Sequence, residues 1–512
     1  MDFHLLHQKY LARHDRQGAS GQRLLHECLR EAIRAGVLAP GLRLPGSRTL
    51  CAELGLARNT VLYAYEQLAT EGLITPDRRG SRVSPSLSTV LAAPAERPAK
   101  AAPAALSQRG QRALAVPLIA EVSSAFAAGV PALDESPLQQ WRRLVDRRWR
   151  GLKAGQLNYA DTSGEPALRE AIADHLRATR AVRCEAAQVF VTDGTQASLG
   201  LCAQVLADAG DKVWIESPGY GGALLALRSA GLRVQGIAVD EHGMAPRPRD
   251  WQAHRPRLIY TTPSHQYPTG AVMSLERRLA LLQDARRAGA WIIEDDYDSE
   301  FRHDGPPLPA MQGLLHDAPV LYLGTFSKTL FPGLRIGYVV APEALVEPLR
   351  RWMRCAQPRG RAAEQLALAD FLRDGLFGLH LRRMRRLYRQ RRDALVSAVE
   401  QHMGGLVSIH GATAGMHLAL RFEETELDDV AISLTAQDEG LFVQALSSLA
   451  VGSRQQPWRG LMLGYAQVPV EAMAPQAARL ARCIEQYAAQ RRAIASTRHS
   501  ARRPRKPAAH SS

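Results

Sequence analysis

Five short runs of apolar and β-branched residues alternate with helical stretches in the central part of the chain, and this alternation restricts the fold more than any other feature. The runs lie at 188–192, 212–216, 258–262, 290–294 and 320–324. Strands separated by helices form parallel βαβ units, so we predict an α/β body with a parallel sheet. After about residue 345 the pattern becomes mainly helical, with another strand at 416–421, which predicts a smaller terminal subdomain.

An Ala/Pro-rich segment separates this body from the start of the chain. Residues 84–115 contain ten Ala and four Pro, and the prolines prevent a long helix. Because 512 residues exceed what one core usually organises, we predict separate domains. The predicted organisation is an N-terminal unit at 1–84, a linker at 85–117, the α/β body at 118–490 and a basic tail at 491–512.

Charge and composition exclude several classes of protein. The net charge is +15, and the tail from Arg491 holds seven Lys or Arg and no acid. We expect a disordered tail; the alternative is that it helps to hold DNA non-specifically. No run approaches 18 apolar residues, so we expect no membrane span. The start, Met1-Asp2-Phe3-His4, predicts no secretion signal, and six cysteines without a CxxC pair predict reduced thiols in a cytoplasmic protein without a zinc site.

The N-terminal unit has the pattern of a helix-turn-helix. An amphipathic helix is predicted at 21–38, a second helix runs from Ser47 as N-cap to Leu54, and a turn at 55–57 leads to a third helix from about Arg58 to Glu71. A small helical dimerisation or lid domain would show the same helices. The polar start of the third helix and the basic turn that follows it, Asp-Arg-Arg-Gly-Ser-Arg from 77, favour DNA binding, with the third helix in the major groove.

The segment LPGSRTLCAELGLARNTVLYAYEQLATEGLI, from Leu44, closely resembles the GntR-type winged helix-turn-helix, and the resemblance covers residues 21–84. It implies that four side chains face DNA, with Gly80 at the tip of the wing. Those side chains are Arg48, Arg58, Asn59 and Thr60. Arg can read guanine through two hydrogen bonds, and Asn and Thr can reach base edges or phosphates.

A lysine follows the last central strand among hydroxyl-bearing residues. The segment from 324 reads Gly-Thr-Phe-Ser-Lys-Thr-Leu, and Arg335 comes seven residues after Lys328. A lysine is most often a solvated surface group. Burial and a cationic neighbour, in contrast, would lower its pKa and leave a free amine for a Schiff base. Arg335, with Thr325 and Ser327, would form an anion fork suited to a phosphate.

An acidic run, Ile-Ile-Glu-Asp-Asp-Tyr-Asp-Ser-Glu from 292, ends the preceding strand. It contains three alternating acids that would suit a metal ion: Asp296, Asp298 and Glu300. An EF-hand loop requires Gly where Phe301 stands, and no His ligands cluster here, so we predict no metal site. Asp295 suits instead the pyridine nitrogen of pyridoxal phosphate, and Tyr297 can reach the phenolic oxygen of its ring.

Two weaker signals lie earlier in the body. Gly194 and Thr195 open a helix predicted at 197–207, and amides at a helix N-terminus bind phosphate. Tyr220 follows the next strand, where an aromatic ring could stack on a cofactor. A tyrosine in such a position is more often a packing residue.

Over about residues 118–490, the chain resembles the fold-type I pyridoxal phosphate enzymes of the aspartate aminotransferase kind. The shared features are the lysine, the aspartate, the tyrosine, the phosphate loop and the stacking aromatic residue. The resemblance implies a Schiff base on Lys328, Asp295 on the pyridine nitrogen, Tyr297 on the phenolic oxygen and Tyr220 stacked on the ring. It implies phosphate contacts from Gly194, Thr195, Gln196, Thr325, Ser327 and Arg335. Tyr159 matches the tyrosine that reaches the partner subunit's phosphate, which implies a dimeric site.

A GntR-type reader, a linker and an aminotransferase-like body, in this order, resemble the MocR-type transcriptional regulators. The segments TPSHQYPTG, EDDYDSEFR and the basic helix at 381–395 agree with that family. The resemblance implies a cytoplasmic head-to-tail homodimer that binds a double-stranded DNA operator. It implies pyridoxal phosphate as the cofactor and a small-molecule effector, which could be the cofactor itself or an amine. The alternative is an active aminotransferase with an appended DNA-binding head.

Three positions depart from the aminotransferase pattern. Tyr267 stands where those enzymes place an Asn that contacts the ring oxygen. Met462 replaces the arginine that holds the α-carboxylate of an amino acid, and Gly222 lies where a carboxylate-binding arginine is expected in the regulators that respond to γ-aminobutyrate. A buried carboxylate without a partner is costly, so these departures favour sensing, with at most weak transamination.

Overall fold

The structure is a computed structural model that describes residues 1–13, 20–77, 80–86, 106–107, 110–111, 125–158, 161–305, 308–356, 360–424, 426–452 and 458–501. The chain divides into two compact units, Met1–Leu106 and Ser107–Ser512. The linker predicted at 85–117 lies almost entirely outside the described residues, and so does Tyr159. No helix in the described ranges is both long enough and apolar enough to cross a membrane.

The first unit is a winged helix-turn-helix, as predicted. Its elements are α1 (Phe3–Arg13), α2 (Gly21–Arg34), β1 (Arg43–Leu44), α3 (Ser47–Leu54), α4 (Arg58–Thr70), β2 (Ile74–Asp77) and β3 (Gly80–Val83). The three strands form one antiparallel sheet in the order β1-β3-β2. Apolar faces of the helices and the inner side of this sheet share a core that contains Leu25, Val61 and Val83.

Three details of this unit differ from the sequence predictions. Helix α2 ends at Arg34, four residues before the predicted end, and Gly36 follows with φ +72°. Ser47 is not the N-cap of α3; it is the first helical residue, and Gly46 is the N-cap, without a side-chain hydrogen bond. Helix α1 was not predicted; it is held by Phe3, which is buried and whose amide donates to Glu53 Oε1 at 2.9 Å.

The second unit contains a large and a small sheet with helices around them. The helices are α5 (Leu138–Gly151), α6 (Pro166–Arg180), α7 (Thr195–Leu206), α8 (Gly221–Ser229), α9 (Pro248–Ala253), α10 (Leu275–Ala288), α11 (Met311–Leu314), α12 (Glu343–Ala356), α13 (Ala362–Arg373), α14 (Leu376–Met403), α15 (Asp429–Asp438) and α16 (Val470–Ala501). The strands are β4 (Val189–Thr192), β5 (Lys212–Ser217), β6 (Arg233–Asp240), β7 (Gly243–Met244), β8 (Leu258–Thr261), β9 (Trp291–Asp296), β10 (Val320–Thr325), β11 (Gly337–Val340), β12 (Val407–His410), β13 (His417–Phe422), β14 (Gln444–Ala445) and β15 (Gly460–Gly464).

The large sheet has the strand order β4-β11-β10-β9-β8-β5-β6-β7. Its centre, from β10 to β6, is parallel, and β4, β11 and β7 add antiparallel pairings at the sides. All five predicted central strands are present and begin and end within two residues of the prediction. The predicted terminal strand is β13, within the four-stranded antiparallel sheet β12-β13-β15-β14. This is the predicted α/β body with a smaller subdomain.

The last helix extends past the predicted end of the body near residue 490. Helix α16 continues to Ala501, and the expectation of a disordered tail from 491 stays a prediction. Ala-rich sequence with long polar side chains has high helix propensity and extends the helix beyond the last predicted apolar position. Residues 502–512 lie outside the described part of the chain.

A buried ion pair fixes β9 against the helix layer. Arg180, at the end of α6, donates from Nε to Asp296 Oδ2 at 2.8 Å and from Nη2 to Ser264 Oγ at 2.7 Å. Tyr322 Oη also donates to Asp296 Oδ2, at 2.5 Å. Both charged side chains are almost fully buried. Removal of one partner would leave the other charge in a low-dielectric interior without compensation.

Substitution Arg180→Met should therefore destabilise the protein by about 3–5 kcal/mol, the usual cost of a buried ion pair that loses one partner. The matched control is Arg183→Met, three residues later and exposed, which should change stability by about 0.5 kcal/mol or less. Urea unfolding followed by circular dichroism measures both. Equal stability of the two variants would contradict the role given to this ion pair.

Candidate functional site

The predicted cofactor residues meet at one edge of the large sheet. Neighbouring parallel strands β10, β9, β8 and β5 end there, and ligands bind at such carboxyl ends. A cavity of about 140 Å³ opens at this edge. Five of the predicted residues line it: Thr195, Tyr220, Asp295, Tyr297 and Lys328. The lysine, aspartate and tyrosines, far apart in sequence, thus share one cavity.

Asp295 is the most informative of these residues because half of its carboxylate has no partner. It is the penultimate residue of β9 and is buried. Its Oδ2 accepts a hydrogen bond from Tyr260 Oη at 2.7 Å, whereas its Oδ1 is buried and has no hydrogen-bond partner among the described residues. Burial raises the pKa of Asp295 to about 7. A ligand that presents an N–H cation here would satisfy the free oxygen and restore the charge.

Lys328 lies on the other side of the same cavity. Its Nζ donates to the carbonyl oxygen of Gly129 at 2.5 Å. Burial lowers the pKa of Lys328, against the opposing effect of Asp298 and Asp295, and so favours the neutral amine that a Schiff base requires. Gly129 has φ +77°, and a Cβ there would lie 3.1 Å from Nζ, so a glycine permits this approach. Sequence reasoning missed Gly129 because nothing in its neighbourhood marks it.

An anion site adjoins the cavity at the start of α7. Gly194, with φ +91°, is the N-cap of this helix, and Thr195 is its first residue and lines the cavity. A Cβ on Gly194 would lie 3.5 Å from Arg335 Nη1, so the guanidinium stands directly beside the helix N-terminus. Thr325 is buried, and its Oγ1 accepts from the Ser327 amide at 3.2 Å. Free amides, a guanidinium and hydroxyl groups together suit a phosphate.

The side chain of Gln196 is directed to Tyr220: its Nε2 donates to Tyr220 Oη at 3.2 Å. Its predicted contact with a phosphate stays a prediction. Tyr220 in turn meets Tyr267 edge-to-face, with ring centroids 5.5 Å apart. Gly222 is packed against both partners of the hydrogen bond, because a Cβ there would lie 2.4 Å from Gln196 Nε2 and 2.5 Å from Tyr220 Cζ. Gln196 and Gly222 therefore set the orientation of the Tyr220 ring.

A buried polar network that the sequence did not reveal supports Tyr297. Its Oη donates to the carbonyl oxygen of His265 at 3.0 Å. His265 Nδ1 lies 3.1 Å from Asp298 Oδ2, and the rings of His265 and His417 are 4.8 Å apart. His417 Nε2 lies 3.2 Å from the Pro268 carbonyl oxygen. Ligand atoms of the two histidines and Asp298 lie within 4.8 Å of one another, but the carboxylate is already paired with His265 and the His417 ring with a carbonyl. The only sequence signal was the histidine in TPSHQYPTG.

The first unit presents a separate polar surface. Arg58 and Asn59 open α4 and are exposed, Arg48 is exposed on α3, and Thr60 is half-buried. Gly80 has φ +132° at the start of β3, in keeping with its predicted place at the wing turn; Arg78 and Arg79 lie outside the described residues. Tyr63, one helical turn after Asn59, is 38% exposed and was not singled out in the sequence. Arg58, Asn59 and Thr60 lie at the start of α4, the second helix of the helix-turn-helix, which is the part that reads DNA in such folds.

Comparisons with known proteins agree with both units. Residues 23–83 match the family of bacterial regulatory proteins of the gntR type, and residues 125–460 match aminotransferase class I and II. The chain is 40% identical over 453 residues to the probable rhizopine catabolism regulatory protein MocR of Rhizobium meliloti. This match covers 88% of this chain and 91% of MocR. It is 34% identical over 448 residues to the pyridoxine biosynthesis regulator PdxR of Corynebacterium glutamicum, and this match covers 86% of this chain and 91% of PdxR.

Among solved structures, the chain is similar to the α-aminoadipate aminotransferase LysN of Thermus thermophilus, solved in complex with N-(5'-phosphopyridoxyl)-L-leucine. The TM-score is 0.66 at 27% identity, and the match covers 75% of this chain and 98% of LysN. The part of the chain that contains the cavity is thus similar to nearly the whole length of an aminotransferase.

Asp295 should make the stability of the cofactor-free protein depend on pH. Its carboxyl keeps a proton up to a pH of about 7 in the folded state, whereas in the unfolded chain it loses the proton near pH 4. The folded state then binds more protons between these values, so this group costs stability as the pH rises. Asp295→Asn removes this cost. The thermal midpoint of the variant minus that of the wild type should therefore increase as the pH is raised from about 4 to about 8.

The matched control for this experiment is Asp438→Asn, an exposed aspartate on α15. Its thermal midpoint should follow that of the wild type at every pH. A difference between Asp295→Asn and the wild type that stays constant over the same pH range would show that Asp295 does not titrate as a buried acid.

Proposed function

The chain belongs to the MocR-type transcriptional regulators, which join a GntR-type DNA-binding domain to an aminotransferase class I/II domain, and from that premise we propose that its body binds pyridoxal phosphate through Lys328. We further propose that the cofactor, or a small amine that meets it there, changes how the head binds its DNA operator. We also propose that the regulator assembles as a head-to-tail homodimer.

The unpartnered oxygen of Asp295 is the observation that carries this proposal. Asp295 lines the same cavity as Lys328, and a pyridinium N–H is the donor that would pair with its free oxygen. The anion site of Thr195, Gly194 and Arg335 adjoins this cavity and suits the phosphate. Each end of the cofactor therefore finds a chemically matched group, so the residues present fit pyridoxal phosphate.

Each residue has a defined role toward the bound cofactor. Pyridoxal phosphate supplies an aldehyde carbon for a Schiff base and a ring that withdraws electrons when its nitrogen is protonated. Lys328 would hold the cofactor through Nζ, Asp295 would keep the ring nitrogen protonated, and Tyr297 would donate to the phenolic oxygen. Tyr220 would cover the ring face, in an orientation that Gln196 sets.

The names of two relatives support the choice of signal. LysN was solved with a phosphopyridoxyl group, and PdxR is named as a regulator of pyridoxine biosynthesis. The DNA role rests on the exposed polar start of α4 in a unit that matches the gntR family. An operator for the following tests can be found by footprinting the DNA upstream of the protein's own gene.

Purified protein loaded with pyridoxal phosphate should show a visible absorption band from the Schiff base, and Lys328→Ala should lose this band while it stays folded. The matched control is Lys212→Ala, because Lys212 lies at the start of β5, away from the carboxyl edge of the sheet. Its spectrum should equal that of the wild type. An unchanged band in Lys328→Ala would remove this lysine from the site.

Arg58→Ala should weaken operator binding by about 1–3 kcal/mol if the guanidinium reads a base. Its control is Arg34→Ala, an exposed arginine at the end of α2, outside the proposed reading surface. Affinity should also fall steeply with salt, since phosphate contacts release counterions. Fluorescence anisotropy measures these affinities. Equal affinity of the wild type for operator and for random DNA would contradict a sequence-specific reader.

A further inference from the structure

We infer that the ligand space beside Lys328 takes a primary amine that has no carboxylate, and that common α-amino acids are excluded. This inference rests on the proposed binding of pyridoxal phosphate. It concerns the side chains of the cavity wall that a ligand would contact, and not the groups that would hold the cofactor.

The charges around the cavity oppose a carboxylate. Among the described residues that line it, Lys328 is the only cationic side chain, and it is the group that would hold the cofactor. Two carboxylates, Asp295 and Asp298, line the same space. A ligand carboxylate buried here would lose its hydration and find no cation to pair with among these lining residues.

Strand β15 carries Met462 at the position where aminotransferases place the carboxylate-binding arginine, and the surroundings of this residue are apolar. Met462 is fully buried in β15 and packs in a small cluster with Ala419 and Leu446. Ala128 and Tyr267, which both line the cavity, pack against this cluster. The side chain at 462 therefore lies directly behind the cavity wall and offers it a thioether and methyl group, without charge.

The second position at which a carboxylate-binding arginine is expected, residue 222, is closely packed. A Cβ at Gly222 would lie within 2.5 Å of Gln196 and Tyr220, nearer than real Cβ atoms come to such neighbours. An arginine at 222 would require the side chains of Gln196 and Tyr220 to move. The glycine is thus part of the structure that positions Tyr220, and it brings no cation to the cavity.

The basic helix α14 does not replace these arginines. Its side chains are occupied elsewhere: Arg383 pairs with Glu135, Arg392 pairs with Asp304 at 3.0 Å, and Arg385 donates to the Glu300 carbonyl oxygen at 2.5 Å. Arg382 is exposed and is not among the residues that line the cavity.

Apart from Lys328 and the two carboxylates, the wall offers a ligand neutral polar groups. Tyr267 Oη lies beside Gln444 Oε1 at 3.2 Å, and Thr262 and His417 also line the cavity. Burial lowers the pKa of His417 well below its usual value, so the imidazole stays uncharged. Hydroxyl groups and a neutral imidazole suit a carbon skeleton that is apolar or carries hydroxyls.

The amine requirement follows from the bond at Lys328. A primary amine can replace Nζ on the cofactor carbon: one C–N bond to the ligand nitrogen forms, the C–N bond to Nζ breaks, and the protons of the incoming nitrogen pass to Nζ. The exchange needs no oxidant or reductant. It frees the Lys328 amine, which is a change within the cavity that a regulator could transmit.

Matched pairs that differ only by the carboxylate test the inference: ethylamine and alanine, ethanolamine and serine, isobutylamine and valine. Each compound is titrated into wild-type full-length protein loaded with pyridoxal phosphate. The readouts are the cofactor absorption band and operator affinity. Each compound is also titrated into free pyridoxal phosphate without protein. The half-saturating concentration with the protein is divided by the half-saturating concentration with the free cofactor, which removes the intrinsic reactivity of the amine.

At least one amine should bind about ten-fold or more tightly than its amino acid after this normalisation, since a lost charged hydrogen bond corresponds to such a factor, and it should shift operator affinity. Met462→Arg should reduce or reverse this preference, whereas Met462→Leu should retain it. Amino acids that bind as tightly as the amines in the wild type, or a panel in which no amine binds, would overturn the inference. Absence of any cofactor band would instead contradict the proposed function.

Discussion

Two ionisable groups enclosed at the same edge of one sheet constrain the rest of the body. Asp295 and Lys328 follow adjacent parallel strands, and the pairing of Leu323 with Asp295 brings the end of β9 level with the end of β10. Enclosure of a carboxylate and an amine is costly unless each has a partner. The protein provides one partner for each, Tyr260 and the Gly129 carbonyl, and leaves one carboxylate oxygen open. The proposed binding of pyridoxal phosphate rests on this incomplete satisfaction.

The acidic end of β9 shows how the strand separates structural from functional carboxylates. Successive side chains of a strand point to opposite faces. Glu294 accepts from the amides of Met311 and Gln312, and Asp296 pairs with Arg180. Asp295, between them, points the other way into the cavity. The outer two carboxylates fix the strand, so the middle one has a defined position from which to meet a ligand.

The sequence predicted the parts of the molecule that follow from local patterns. Strand positions came from apolar runs, and Lys328 and Asp295 were recognisable because each ends such a run. The residues contributed by distant parts of the chain were not recognisable: Gly129 and His417 line the cavity, and His265 pairs with Asp298 beside it, through long-range packing that leaves no local pattern. Ends of helices were also misjudged, at Arg34 and at Ser47, because one turn of helix or less costs little free energy either way.

Coupling between the cofactor site and the DNA head is the central claim, and linkage gives it a strict form. If pyridoxal phosphate changes operator affinity by some factor, the operator must change cofactor affinity by the same factor. The most direct measurement is therefore the operator Kd with and without saturating pyridoxal phosphate, together with the cofactor Kd with and without saturating operator. The account predicts two equal ratios of about five-fold or more. Ratios of one in both experiments, with the cofactor demonstrably bound at Lys328, would contradict it.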